Sequence, residues 1–185
     1  MNLSEIKLVV TDMDGTLLNE NSEVSTLFFE QFKALQKHNI HFVAASGRQY
    51  QSIRRALDTI KDDISIIAEN GSLMQFNNKT EVLLELPIKD IHECIRVLRP
   101  IKNCYVVLCG KKRAYIETSN PHFITLFDEY YTAFDIVKDL TKVTNDTFLK
   151  IAVYHFDSAE AYVLPHVSGL ATQVKLTISG KNWLD

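Results

Sequence analysis

The segment that decides the fold of this chain is V-V-T-D-M-D-G-T-L-L, residues 9–18. It completes an apolar, β-branched run that begins at Ile6, and such a run is typical of a short strand buried on both faces of a parallel sheet. Gly15 follows, where the chain can turn sharply because there is no Cβ. The sequence therefore predicts a strand whose carboxyl end presents two aspartates, Asp12 and Asp14.

Helix and strand patterns alternate after this segment. Apolar residues recur at helical spacing from Val24 to Leu35, a second strand is indicated by I-H-F-V-A-A (residues 40–45), a helix carries Ile53 and Leu57, and a third strand covers residues 64–68. A β-α-β-α-β order with short links predicts parallel pairing through right-handed crossovers. The predicted class is therefore α/β, with the first half of a doubly wound, Rossmann-like parallel sheet in residues 1–82.

The pattern changes near Leu83, and we expect a second domain of α+β type with an antiparallel sheet in residues 83–185. Its expected elements are a strand at 82–86, a helix after Pro87, a hairpin of residues 105–108 and 114–116, a helix from Asn120, strands at 148–154 and 173–179, and a helical stretch at 159–170 that breaks near Pro165. No internal repeat interrupts this order.

Composition excludes several classes of function. Lys and Arg total 20 against 23 Asp and Glu, so a net charge of −3 gives no reason to expect nucleic acid or an anionic membrane as partner. No apolar run approaches the roughly 20 residues that span a bilayer, and residues 1–7 do not resemble a signal peptide, so we expect a cytoplasmic protein. Three cysteines without C-x-x-C spacing predict reduced thiols.

The two aspartates have the chemistry of phosphoryl transfer. A carboxylate nucleophile can form an acyl phosphate and divide the reaction into two displacements. A second carboxylate two residues later can protonate the leaving oxygen and then activate water. Two anions facing a phosphate need a cation, and hard oxygen ligands favour Mg²⁺. Asp12 and Asp14 are thus the candidate catalytic residues and the candidate metal ligands.

Backbone and hydroxyl groups near the same sheet edge are candidate phosphate ligands. The amides of Met13, Asp14 and Gly15 could form a nest for phosphate oxygens. Ser46 closes the second strand as Asp12 closes the first, the helix after it could contribute its N-terminus, and Gly47 would permit close approach.

Simpler structural explanations exist for each of these signals. An isolated D-x-D is most often a turn with two solvated aspartates, and S-G-R between a strand and a helix is most often a capping turn. Arg48 could orient the second loop, contact the second domain, or form a plain salt bridge. Because the two motifs end successive strands in the correct order, together they favour a site.

Three motifs carry a resemblance to a known family. V-V-T-D-M-D-G-T-L-L, A-A-S-G-R (44–48) and A-E-N-G (68–71) resemble the haloacid dehalogenase-like hydrolase superfamily, in its Cof-type sugar phosphatase branch. The resemblance implies that Asp12 is the nucleophile, Asp14 the general acid/base and Ser46 a phosphate ligand. It places Thr16, Arg48 and Asn70 in the substrate loops and makes residues 83–185 a cap domain.

The activity implied by this resemblance is Mg²⁺-dependent hydrolysis of small phosphomonoesters, such as sugar phosphates, through an aspartyl phosphate. Relatives continue to a phosphate-contacting Lys and a G-D-x-x-N-D segment that completes the metal site, and neither occurs in these 185 residues. The alternatives are a catalytically incomplete phosphate- or protein-binding fragment and a phosphomutase. The sequence identifies neither the substrate nor the oligomeric state.

Overall fold

The structure is a computed structural model that describes residues 5–185. The chain forms two compact units, one up to Leu83 and one from Leu84 to Asp185. Each unit is built on its own five-stranded sheet. The predicted α/β class is confirmed.

The first unit holds the predicted parallel strands. Its sheet runs in the order β1 (Leu8–Asp12), β2 (His41–Ala45), β3 (Ser65–Ala68), β4 (Leu73–Phe76) and β5 (Lys79–Val82). Strands β1, β2 and β3 are parallel, while β4 and β5 add an antiparallel hairpin. The hairpin turns at Asn77 and Asn78, whose φ angles of 50° and 58° suit the mirror-image turns that join antiparallel strands. The strand predicted at 82–86 is therefore wrong, because β5 ends at Val82.

Two helices cover one face of this sheet. In α1 (Thr26–Lys37), Ser25 caps the first turn, and the Phe28 and Phe32 rings lie 5.1 and 6.0 Å from that of Phe42 on β2. In α2 (Tyr50–Ala56), the Tyr50 hydroxyl donates to the Gln75 side chain on β4 at 2.5 Å. The register places Phe42 and Gln75 on the same face. Ala44, two residues after Phe42, is paired with Ile66, and Ile66 is paired with Gln75.

The opposite face carries exposed apolar side chains. Leu8 and Val10 on β1 are 53% and 54% exposed, and Phe76 on β4 is 51% exposed. Parallel sheets are normally covered on both faces. Within the described part of the first unit, only one face has helices.

The second unit is a sheet with helices on both sides. Its elements are α3 (Ile88–Leu98), β6 (Cys104–Gly110), β7 (Ala114–Ile116), α4 (Pro121–Tyr130), β8 (Phe134–Ile136), β9 (Phe148–His155), α5 (Ala159–Tyr162), α6 (Leu164–Val167) and β10 (Trp183–Leu184). The strand order is β10-β9-β6-β7-β8, and every pair is antiparallel except β7 with β8.

Alternation along β6 divides the core of this unit into two layers. Leu108 packs in a cluster with Ile91 and Ile95 of α3, whereas Val107 packs with Phe123 and Phe127 of α4. Asn120 caps α4 by accepting the backbone N–H groups of residues 122 and 123, as a residue before a helical proline is suited to do.

Two predictions for the C-terminal part have different outcomes. The helical stretch is broken as expected, into α5, α6 with Pro165 in its first turn, and a 3₁₀ segment at Ser168–Thr172. The strand predicted at 173–179 is wrong. The two-residue strand β10 pairs with β9 instead, and Ile178 forms a single bridge to Leu184.

The three cysteines are free thiols, with Cys94 and Cys109 buried and Cys104 partly buried. Burial raises the pKa of the Cys104 thiol to about 12. Across residues 5–185, no helix has the length and apolar character needed to cross a membrane.

Candidate active site

The carboxyl ends of β1 and β2 lie side by side. Asp12 is in register with Ala45, the last residue of β2, so Ser46 lies one residue beyond that pair at the same sheet edge. Neighbouring parallel strands stand about 4.8 Å apart. Between the exposed Asp12 and Asp14, the side chain of Met13 is fully buried. This inward methionine anchors the loop, so that both carboxylates face outward at the sheet edge.

The loop after β1 is closed on the carbonyl of Met13. That oxygen accepts the N–H groups of Leu17 at 3.1 Å and Leu18 at 2.8 Å, and Thr16 lies exposed in the loop with its N–H at 3.4 Å. Gly15 has φ of 69°, and a Cβ there would meet no atom within 4 Å. Glycine is therefore favoured here by backbone conformation and not by lack of space.

Arg48 connects this loop to the loop after β2. Its Nε donates to both carboxylate oxygens of Asp14 at 3.0 and 3.1 Å, and Nη2 donates to Oδ1 at 2.7 Å. The Arg48 side chain is 12% exposed and that of Asp14 is 54% exposed. Nη2 also reaches the Ser22 hydroxyl at 3.4 Å. Of the roles considered for Arg48, the structure shows the salt bridge, and that bridge joins two predicted site loops.

The loop after β2 rests against the turn after β3. Ser46 N–H donates to the carbonyl of Ile67 at 2.9 Å, and Glu69 N–H donates to the carbonyl of Arg48 at 3.1 Å. A Cβ on Gly47 would lie 2.4 Å from Asn70 Oδ1, so any larger residue there would force the Asn70 side chain to move. Asn70 itself has φ of 56°. The structure thus brings the three predicted motifs together at one edge.

Two details differ from the predicted phosphate-binding arrangement. The Met13 N–H donates to Asp12 Oδ1 at 2.8 Å, so in this structure that amide is bonded to the neighbouring carboxylate and does not face a phosphate. Helix α2 begins at Tyr50, four residues after Ser46, and the Ser46 hydroxyl accepts the Arg48 N–H at 3.1 Å in the connecting turn. The Ser46 hydroxyl therefore stabilises the turn between β2 and α2, as the simpler explanation of S-G-R predicted. Binding of phosphate by the same hydroxyl would be a second role.

Three residues at these loops were not singled out from the sequence. Ser22 contacts Arg48, while Gln49 and Glu69 are each 1% exposed behind the loops. Glu69 could have been identified from the sequence, because it directly follows β3 and belongs to the A-E-N-G motif.

The donor set can be compared with what a magnesium ion requires. Mg²⁺ commonly takes one or two carboxylates and completes its shell with water and substrate oxygens, so two aspartates at one sheet edge fit it in kind. Both oxygens of Asp14 are bonded to Arg48, which leaves Asp12 as the more accessible ligand. In residues 5–185 no group of three or more His, Cys, Asp or Glu side chains is arranged to hold a metal.

The fold is that of an α/β protein in which the first parallel strand ends at Asp12 and the loop after it carries Asp14. The sequence profile of the haloacid dehalogenase-like hydrolases matches residues 9–185. The chain belongs to that family, as its three motifs predicted, and the Cof-type branch fits the matches described next.

Two relatives of this chain share the same enzyme name. The chain is 27% identical over 150 residues to the 5-amino-6-(5-phospho-D-ribitylamino)uracil phosphatase YbjI of Escherichia coli, which covers 80% of this chain and 55% of that protein. It is 31% identical over 68 residues to the phosphatase YcsE of Bacillus subtilis, whose name gives the same substrate, and the match covers 37% of this chain and 27% of that protein. This chain thus spans about half the length of the first relative.

A solved structure shows the same fold. SMU.1108c from Streptococcus mutans superposes with a TM-score of 0.85 at 22% identity, over 97% of this chain and 69% of that one. At this identity the likeness concerns the fold alone.

Proposed function

We propose that this chain carries the nucleophile-bearing part of a phosphatase that hydrolyses small phosphomonoesters, sugar phosphates among them. The observation that carries the proposal is the sheet edge where the exposed Asp12 ends β1 and Asp14 is tied by Arg48 to the loop after β2. Membership of the hydrolase family supports it. So do two relatives whose names specify a phosphorylated ribityl compound.

In the proposed reaction Asp12 attacks phosphorus and the bond to the leaving oxygen breaks. Asp14 gives that oxygen a proton, and an aspartyl phosphate remains on Asp12. Asp14 then takes a proton from water, which attacks phosphorus and releases inorganic phosphate and free Asp12. Ser46 and the amides of Asp14 and Gly15 would bind the phosphoryl oxygens. The Met13 amide is already bonded to Asp12 Oδ1, and Asn70 fills the space beside Gly47, so these two residues would act by shaping the loops.

Asp12 is the residue that would hold a divalent cation, joined by Asp14. A bound Mg²⁺ would neutralise the charge that two carboxylates and a phosphate bring together. Arg48 occupies Asp14 in the structure, so we infer that Asp14 exchanges its bond to Arg48 for substrate during the cycle. Thr16 and Asn70 would line the entrance as substrate-loop residues.

We assign residues 1–82 to the catalytic core and residues 83–185 to a cap that would select the substrate. The even charge balance, with a net charge of −3, supports a small-molecule substrate over nucleic acid. We also propose that the protein acts in the cytoplasm, where phosphorylated metabolites occur.

The test is phosphate release from 4-nitrophenyl phosphate by the 185-residue chain, with and without Mg²⁺. We expect Mg²⁺-dependent turnover in the wild type, its loss in Asp12→Asn, and wild-type turnover in Asp63→Asn, which alters an exposed aspartate of the same unit. Mass spectrometry after an acid quench should find the phosphoryl group on the peptide that contains Asp12.

Three outcomes would contradict the proposal. Full activity of Asp12→Asn would remove Asp12 as the nucleophile. An inactive wild-type chain that still binds phosphate through residues 12–16 would favour the non-catalytic binding fragment. Transfer of phosphate between sugar positions, without its release, would indicate the phosphomutase.

A further inference from the structure

The second unit contains a cavity that the proposed reaction does not use. Its volume is ≈ 380 Å³, within the range of about 300–1,000 Å³ usual for small-molecule sites. Val97 of α3, with Pro100 and Ile101 just after that helix, forms an apolar wall. A ligand that fills the cavity would therefore need an apolar part that packs against this wall.

A buried histidine lines the same cavity. His155, the last residue of β9, is 3% exposed. Its Nδ1 accepts the backbone N–H of Asp157 at 3.2 Å and that of Ser158 at 3.4 Å. Because Nδ1 serves as an acceptor, the neutral ring carries its proton on Nε2.

The Nε2–H group is the polar edge that His155 offers to the cavity. Among residues 5–185 no side chain or carbonyl is hydrogen-bonded to it. The Tyr162 ring stacks on the imidazole with centroids 4.8 Å apart and planes inclined by 12°, which fixes the direction of the edge. The residue is buried as a whole, and this ring nitrogen opens on the cavity, so an acceptor on a bound molecule can reach it.

Charge around the cavity favours an anion. Lys102 and His166 both lie on its wall and both are exposed, and none of the residues that line it is acidic. The carboxylate of Asp157 lies 4.0 Å from Nδ1 of His155, the ring nitrogen that does not face the ligand. The ammonium of Lys102 can supply a second donor to the same ligand. One positive group beside an apolar wall suits a singly charged carboxylate better than a fully hydrated phosphate.

We propose that this cavity binds a small monocarboxylate with an aromatic or branched apolar body. The carboxylate accepts from His155 Nε2–H and Lys102 Nζ, and the apolar body lies against Val97, Pro100 and Ile101. The site lies wholly within residues 97–166 and uses none of the residues proposed for phosphate hydrolysis. It is therefore independent of that proposal.

Phenylacetate is a suitable probe, with 2-phenylethanol as its uncharged control. Calorimetric titration of the 185-residue chain should give a dissociation constant of about 1 mM or tighter for phenylacetate. The alcohol should bind at least about tenfold more weakly. In ¹H–¹⁵N spectra, phenylacetate should shift the amides of residues 97–102 and 155–166 and the Nε2 resonance of His155.

Two variants test the donors separately. His155→Asn keeps an acceptor near the position of Nδ1 for the two backbone amides and removes the Nε2 donor. Lys102→Met changes an exposed side chain and removes the charge. Each should weaken phenylacetate binding about tenfold, and Lys89→Met, which alters another exposed lysine of this unit, should leave it unchanged.

Several results would overturn the proposal. These are the absence of binding to the wild type, equal affinity for the alcohol, or shifts confined to other residues. If His155→Asn does not fold, Lys102→Met decides alone, and wild-type affinity in that variant removes the carboxylate site. Binding is read without turnover, so an inactive phosphatase would not affect the result.

Discussion

Arg48 holds both carboxylate oxygens of Asp14, with its Nε 3.0 Å from Oδ1 and 3.1 Å from Oδ2. The two residues belong to different loops, and their 34-residue separation is closed by the parallel pairing of β1 and β2. Hydrogen bonds between two ionised groups are stronger than neutral ones, and a planar guanidinium adds directional preference. The pair therefore fixes the position of the proposed acid/base residue relative to the second loop.

Arg48→Met should loosen this connection. Since Asp14 is 54% exposed, solvent weakens the pair, and we expect a loss of about 1 kcal/mol in the free energy of unfolding. Arg48→Lys should recover part of it, because it keeps the charge without the fork. Urea unfolding measures both, with Arg55→Met on the exposed side of α2 as the control. Wild-type stability in Arg48→Met would show that the pair does not hold the loops together.

Gly47→Ala should disturb the contact between the second and third loops. The added methyl group would lie 2.4 Å from Asn70 Oδ1, and overpacking of this kind typically costs about 1–3 kcal/mol. Asn70→Gly removes the opposing side chain and tolerates the φ of 56° at that position.

A double-mutant cycle isolates that contact. The cost of Gly47→Ala, measured by urea unfolding, should be smaller by about 1 kcal/mol in the Asn70→Gly background. If the cost is the same in both backgrounds, the clash with Asn70 is not its cause.

The sequence signals were strongest where local pattern and sheet position agree. The run ending at Thr11 was predicted correctly as a strand, and so was the order of the three parallel strands, because each apolar run is short and is linked to the next by one helical pattern. The expected burial of β1 on both faces is wrong, since Leu8 and Val10 are 53% and 54% exposed. The β4–β5 hairpin was missed because K-T-E-V (79–82) is mostly exposed and lacks an apolar face.

The wrong strand at 173–179 has a tertiary cause. Val174 and Leu176 alternate with polar residues as in a strand, but they bury their side chains against the core of the second unit without forming a ladder. The place beside β9 is taken by Trp183 and Leu184, which lie closer to the chain end.

The sequence could nominate candidate site residues but not their partners. Strand-end positions identified Asp12, Asp14 and Ser46, because the carboxyl ends of parallel strands share an edge. Which carboxylate Arg48 binds depends on the three-dimensional course of two loops, and no local pattern encodes it. The cavity beside His155 depends likewise on segments that are distant in sequence.

Lys150 and Asp185 form a pair that is sheltered within the second unit. Their side chains are 11% and 9% exposed, with Nζ 3.4 Å from Oδ1. Removing Lys150 takes one interaction away from the sheltered Asp185 carboxylate, which costs about 1–3 kcal/mol. Lys150→Met should therefore lower the free energy of unfolding by that amount, and Lys175→Met, in an irregular segment of the same unit, should change it little. Equal stability of the two variants would indicate that water already screens the pair.

Asp139 makes the stability of the second unit depend on pH. Hydrogen bonds from the side chain of Thr141, from Arg99 and from the Thr141 amide hold the pKa of this carboxyl well below its usual value. A depressed pKa in the folded state means that the stabilisation is fully present above the unfolded pKa, about 3.9. It is lost as the pH falls from there through the folded pKa.

Asp139→Asn removes that contribution at neutral pH. The gap in unfolding free energy between the wild type and Asp139→Asn should stay constant from about pH 7 to pH 5 and shrink below about pH 4. Urea unfolding monitored by circular dichroism at several pH values measures the gap, and Asp128→Asn, an exposed position on α4, serves as the matched control. A gap that stays constant or widens below pH 4 would contradict the link between Asp139 and its partners, since a protonated carboxyl can no longer bind Arg99 as an anion.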